Sequence, residues 1–127
     1  MLLLAGTPIG DVDDASPRLI RALREADVIA AEDTRRFRAL LQRLGIETSA
    51  RVVSYFEGNE GGRTEQLLAD LTEGRTVVVV TDAGMPSVSD PGYRVVAEAV
   101  ARDLRITCVP GPSAVLMMMS ALPEIRT

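Results

Sequence analysis

Residues able to do chemistry gather in five short stretches of this 127-residue chain: GTPIG at 6–10, AEDTR at 31–35, YFEGNE at 55–60, TDAGMPSVSDPG at 81–92 and PGPSA at 110–114. Three are built mainly of small residues and proline. The other two carry the carboxylates Glu32, Asp33, Glu57 and Glu60. Glycine lets a ligand approach the main chain closely, and proline fixes a loop's shape in advance. Such a set suits a flat, polar small molecule held by backbone groups. The chain has no histidine, which removes the commonest general base and metal ligand. Its one cysteine, Cys108, lies in the apolar run ITCV and is expected to be a core residue rather than a nucleophile. A transition-metal site would have to be all-oxygen, and none is expected. Two nucleotide motifs are absent. Gly6 and Gly10 sit four apart, which is not G-x-G-x-x-G, and GTPIGDV has no G-K-[ST] ending.

Each of the five stretches follows an apolar run. Leu2–Ala5, Val28–Ala31, Arg51–Tyr55, Val77–Val80 and Arg105–Val109 read as strands. The four valines are apolar on both faces, which suits a central strand covered from both sides. Between the strands lie helical patterns. Ser16-Pro17 starts the first, with serine as cap and proline at the first helical position. The second spans Thr34 to Leu44 and ends at Gly45. The third runs near Arg63 to Leu71. Tyr93 to Ala101 places Val95, Val96, Ala99 and Val100 on one stripe. The last, Ser113 to Leu122, is apolar nearly all round and is expected to be buried on several sides. Strand and helix alternate five times without hairpin signals, so the expected fold is α/β: a five-stranded, mostly parallel sheet with helices on both faces. In such sheets ligands bind at the carboxyl ends of the strands, where these loops lie.

The length fits a single domain. Apolar residues make up 46% and charged residues 25%, as in ordinary globular proteins. Aromatics at 3% and a net charge of -4 argue against a self-sufficient nucleic-acid binder working by stacking or by basic charge. No apolar stretch approaches about 18 residues and no basic-apolar-cleavage pattern begins the chain. One cysteine cannot form an internal disulfide. A soluble, cytoplasmic protein is expected.

The strings GTPIG, ADVIAAEDTR, TDAGMPSVSDPGY and PGPSA, ending at ALP, resemble in order the amino-terminal half of the small-subunit ribosomal RNA 2′-O-methyltransferase I family. That family belongs to the tetrapyrrole-methylase-like enzymes that use S-adenosylmethionine. AEDTR and the SDPGY string are the specific parts of the match, which covers nearly the whole chain. The resemblance implies that this chain, 1–127, is the first domain of a two-domain protomer, with a second domain following. It implies S-adenosylmethionine held in the cleft between the domains, and a homodimer. The reaction implied is 2′-O-methylation of a cytidine in 16S ribosomal RNA of the small subunit. A porphyrinoid (precorrin-type) methylase and a catalytically inert cofactor-binding or regulatory module are the alternatives. The sequence departs from the family at Phe56 and Gly58, where histidines are common, and at Met85, where threonine is.

By the same resemblance, Pro8, Gly10, Gly84, Pro86, Val88, Ser113 and Ala114 contact the donor. Asp82 and Asp90 either accept from the donor's amino or ribose groups or cap the loop and the following helix. Transfer to a ribose hydroxyl needs in-line placement and a base or a field favouring the alkoxide. Asp33 and Glu60 are the candidate bases in this chain, with a base on the second domain as the equal alternative. Arg35, early in a helix where the dipole disfavours a cation, is a candidate for an RNA phosphate.

Overall fold

The computed structural model describes residues 1–86 and 92–121. Five strands, β1 (Leu2–Ala5), β2 (Val28–Ala31), β3 (Arg51–Ser54), β4 (Val77–Val80) and β5 (Ile106–Val109), form one sheet in the order β3-β2-β4-β1-β5. Every pairing is parallel. The valine strand is therefore the middle one, with Val77 opposite Leu2 on one side and Val28 on the other. Its four side chains have no exposed surface.

Alternation along the strands divides the core in two. Leu3, Ile29, Val78 and Val80 pack with Leu19 and Leu23 of α1 (Pro17–Glu25) and with Phe37 and Leu41 of α2 (Thr34–Leu44). On the other face, Leu2, Leu4, Val77 and Val79 pack with Leu67, Leu68 and Leu71 of α3 (Glu60–Thr72) and with Val95 and Ala99 of α4 (Tyr93–Ala101). The expected α/β architecture is observed, with a sheet that is wholly parallel.

Local capping chemistry sets the start of α1 and the end of α2. The Ser16 hydroxyl accepts the Leu19 amide at 3.0 Å, with Pro17 at the first position. Gly45 closes α2 in the left-handed conformation at φ 68. Asp70, buried near the end of α3, accepts from Arg51 at 2.6 Å and Arg75 at 3.0 Å, joining α3 to the segments that begin β3 and precede β4.

Four expectations are corrected. The third helix starts at Glu60 rather than near Arg63, because Asn59 organises the turn before it: its side chain accepts the Phe56 amide at 2.9 Å and donates to the Ser54 carbonyl at 3.2 Å. Gly61 and Gly62 then lie inside the first turn, with Gly61 facing Arg94 of α4. Val100 is 64% exposed; one position past Ala99, it is turned about 100° away from the buried stripe. Cys108 is exposed, because β5 is an edge strand and α4 reaches only as far as Ile106. The last helix, α5 (Ala114–Ala121), has no buried residue and joins neither core cluster. Leu116 and Met118 are 64% and 57% exposed.

Two predictions follow from this packing. Leu67 is fully buried between α3 and the sheet, so Leu67→Ala should cost about 2–5 kcal/mol, read from the midpoint of urea denaturation. Tyr55 is fully buried with its hydroxyl 2.9 Å from Thr64 Oγ1. Burial pushes its pKa above the ordinary 10.0, the Thr64 bond opposes this, and the Glu60 charge adds to it. The fold thus favours the neutral phenol. That stabilisation is intact below the ordinary value and is lost as pH climbs through the raised one. Phenolate absorbance should show a titration delayed beyond 10.0 and coupled to unfolding, and Tyr55→Phe should abolish it.

Candidate functional site

Because the sheet is parallel, all five strands deliver their following loops to one edge, beside the amino ends of the helices. The loops after β1, β4 and β5 are interlocked there through backbone. Thr7 and Gly84 exchange two hydrogen bonds of 3.0 Å, an antiparallel bridge on the rim of a parallel sheet. Gly84 has φ 84, a conformation side chains rarely adopt, and a Cβ there would stand 3.3 Å from the Pro112 carbonyl and 3.6 Å from Ile9 Cδ1. Gly6 and Gly111 touch so closely that a Cβ on Gly6 would lie 2.6 Å from Gly111 Cα. The buried Thr7 hydroxyl donates to the Thr81 carbonyl at 3.3 Å. The Thr81 hydroxyl in turn donates to the Ala83 carbonyl at 3.2 Å.

Several residues singled out from the sequence lie on this interlocked wall. Pro8 is buried, Gly10 is exposed at φ 91, and its carbonyl accepts from Arg43 Nη2 at 2.8 Å. Gly84 sits in the centre, and Pro86 is buried just beyond it. Ser113 precedes α5, and its carbonyl accepts the Met117 amide at 3.0 Å. Ala114 is the first, exposed residue of that helix. Pro112, Ser113, Leu116 and Met117 help line an open hollow of about 530 Å³. Val88 and Asp90 lie outside the described residues.

The turn after β2 meets this wall from the side. Asp33 is the cap of α2: its Oδ1 accepts the amides of Arg35 at 2.9 Å and Arg36 at 3.3 Å. Glu32 Oε1 accepts the Asp82 amide at 3.1 Å. Arg36 Nη1 donates to Asp82 Oδ2 at 3.1 Å. Asp82 is thus held by two residues of the AEDTRR turn. The Arg35 side chain is exposed and has no hydrogen bond or ion pair among the described residues.

Glu60 lies after β3, apart from Asp33. Its Oε1 accepts the Arg94 amide at 3.2 Å, in the first turn of α4, and the Tyr55 hydroxyl points to the same oxygen at 3.5 Å. No hydrogen bond or ion pair joins Asp33 to Glu60 among the described residues. The structure therefore brings Gly84 together with the first and fifth loops, and Asp82 together with the second, while Glu60 belongs to the α3–α4 side.

Reading the sequence for ligand contacts misses Gly6, Thr7 and Gly111, which make the interlock, and Arg36, which holds Asp82. The only signal for the glycines is their position within one or two residues of a strand's end. Nothing in the sequence pairs Thr7 with Gly84.

The family profile described as Tetrapyrrole (Corrin/Porphyrin) Methylases matches residues 1–123. The chain is 53% identical over 124 residues to a protein of Mycobacterium bovis named ribosomal RNA small subunit methyltransferase I, covering 96% of this chain and 44% of that one. A protein of the same name from Halalkalibacterium halodurans is 45% identical over 124 residues, with 96% and 42% covered. These relatives bear out the resemblance read from AEDTR and SDPGY. The chain spans less than half of their length. Uroporphyrin-III-C-methyltransferase from Thermus thermophilus superposes with a TM-score of 0.69 at 22% identity, over 96% of this chain and 51% of that one, which shows a common fold. With its profile match and its parallel five-stranded sheet, this chain belongs to the tetrapyrrole (corrin/porphyrin) methylase family.

Proposed function

We propose that this chain is the donor-binding half of an S-adenosylmethionine-dependent methyltransferase that acts on the 2′-hydroxyl of a cytidine in small-subunit ribosomal RNA. The observation that carries the reading is the interlocked rim, where Gly84 at φ 84 lets the loops after β1, β4 and β5 close on one another through backbone. Such a wall fits a flat, polar donor. Pro8, Gly10, Asp82, Gly84, Pro86, Ser113 and Ala114 would hold it, with Val88 and Asp90 in the same loop assigned by resemblance alone. The bound donor supplies an electrophilic methyl group. This chain's residues orient it by backbone contacts and shield it on one side.

Relatives at 53% identity bear the ribosomal RNA name, against 22% identity to the porphyrin enzyme, and this favours RNA over a porphyrinoid substrate. Arg35, exposed on the rim, would contact an RNA phosphate. Asp33 caps α2 through Oδ1 and its Oδ2 stands 3.9 Å from Arg36 Nε, so Oδ2, beside a cation, is the oxygen through which it could act on a hydroxyl. Because the matched relatives are about twice as long, a second domain would supply the opposite wall, and a homodimer would form in the cytoplasm.

Three outcomes test the reading. By calorimetry, the protein at its relatives' length binds S-adenosylmethionine while the 127-residue chain binds weakly or not at all; equal tight binding by the short chain would show that one wall suffices. In the longer protein, Gly84→Val should raise the donor dissociation constant about tenfold or more, since it places a β-branched residue at positive φ, with cooperative unfolding retained. Unchanged affinity would remove Gly84 from the site. Finally, light scattering of the 127-residue chain should show self-association that grows with concentration, because α5 presents Val115, Leu116, Met117 and Met118 to solvent. A strict monomer with its methionines protected from oxidation would mean that the chain covers α5 by itself.

A further inference from the structure

The connection between β4 and α4 is held at both described ends by a carboxylate from a neighbouring turn. At its start, Glu32 Oε1 accepts the Asp82 amide at 3.1 Å, across 50 residues of sequence. At its far end, Glu60 Oε1 accepts the Arg94 amide at 3.2 Å, across 34 residues. Both amides are ones that regular structure leaves without a partner. Asp82 lies beyond the end of β4, and Arg94 is the second residue of α4, whose cap Gly92 has no side chain to offer. The first turn of a helix has free amides of this kind, and its dipole favours a negative group there. Hydrogen bonds from amides to carboxylates are stronger than those to neutral acceptors.

We propose that Glu32 and Glu60 are a pair of positioning residues that tie the two described ends of this connection to the turns after β2 and β3, and that Glu60 serves as a clamp rather than as the general base. The proposal rests on the donor-binding reading above, since the connection whose two ends these bonds fix carries Asp82 and Gly84 of the donor wall. Arg36 reinforces the first clamp through the Asp82 carboxylate. The duplication supports a geometric role: two carboxylates from two different turns make the same kind of bond to opposite ends of one segment.

Alanine removes the acceptor, whereas glutamine keeps an acceptor oxygen at the same reach and removes the charge that a base requires. Amide hydrogen exchange of the 127-residue chain should show the Asp82 amide exchanging about tenfold faster in Glu32→Ala and the Arg94 amide about tenfold faster in Glu60→Ala. That is the scale of one hydrogen bond to a charged group. Glu32→Gln and Glu60→Gln should restore most of the protection. In the longer protein, each alanine variant should raise the S-adenosylmethionine dissociation constant about tenfold, and each glutamine variant should recover it. Unchanged exchange and affinity in both alanine variants would overturn the proposal. So would a Glu60→Gln protein that binds donor normally, keeps the Arg94 amide protected and yet transfers no methyl group, for Glu60 would then be the base. If the unsubstituted longer protein binds no donor, the functional reading fails, and the exchange measurements alone still decide whether the clamps exist.

Discussion

The structure depends on the complete burial of Val77–Val80 on both faces of the sheet. A strand with no exposed surface needs helices above and below it, and parallel neighbours reached by crossover connections. Once that holds, every strand must end at the same edge and every following helix must begin there. The backbone groups that strands and helices leave unpaired are then concentrated along one line. The location of the candidate site is a consequence of the core, before any side chain on the rim is considered.

The rim then needs a fixed shape, and side-chain electrostatics are a weak means to that end. Arg36 and Asp82 are 71% and 28% exposed, and a pair of that kind is worth about 0–1 kcal/mol. Backbone approach is stiffer. The Gly6–Gly111 contact leaves no room for a Cβ on either side, and the Thr7–Gly84 bridge fixes both the separation and the direction of two loops with two hydrogen bonds. The ion pair and the Glu32 contact are therefore better understood as setting where Asp82 sits than as holding the domain together.

Features governed by neighbours in sequence were legible from the sequence. The start of α1 at Ser16-Pro17 and the span of α2 from Thr34 to Gly45 came from caps whose partners are two to four residues away. The sheet was legible for a similar reason, since an apolar run of four valines has few other places to go. The start of α3 was not, because Gly61-Gly62 reads as a loop until the Asn59 side chain is seen to bond Phe56 and Ser54. In the site, the five loops could be found, but not their interlock. Thr7 with Gly84, Gly6 with Gly111 and Glu32 with Asp82 are tertiary contacts between distant segments that leave no local pattern.

The misreadings of Cys108 and α5 have one cause, which is that apolar character was taken as burial. Burial requires a neighbour across the face, and at β5 the sheet ends. The residues concerned are contiguous in space with the site: Ser113 starts the helix, and Leu116 and Met117 line the same hollow as Pro112. A helix that is apolar all round is stable in water only when something covers it. A partner surface that covered α5 would therefore also lie over the hollow beside the fifth loop. Within the proposed two-domain enzyme, covering that helix and completing the donor site would be one event, so assembly and donor affinity would change together when α5 is altered.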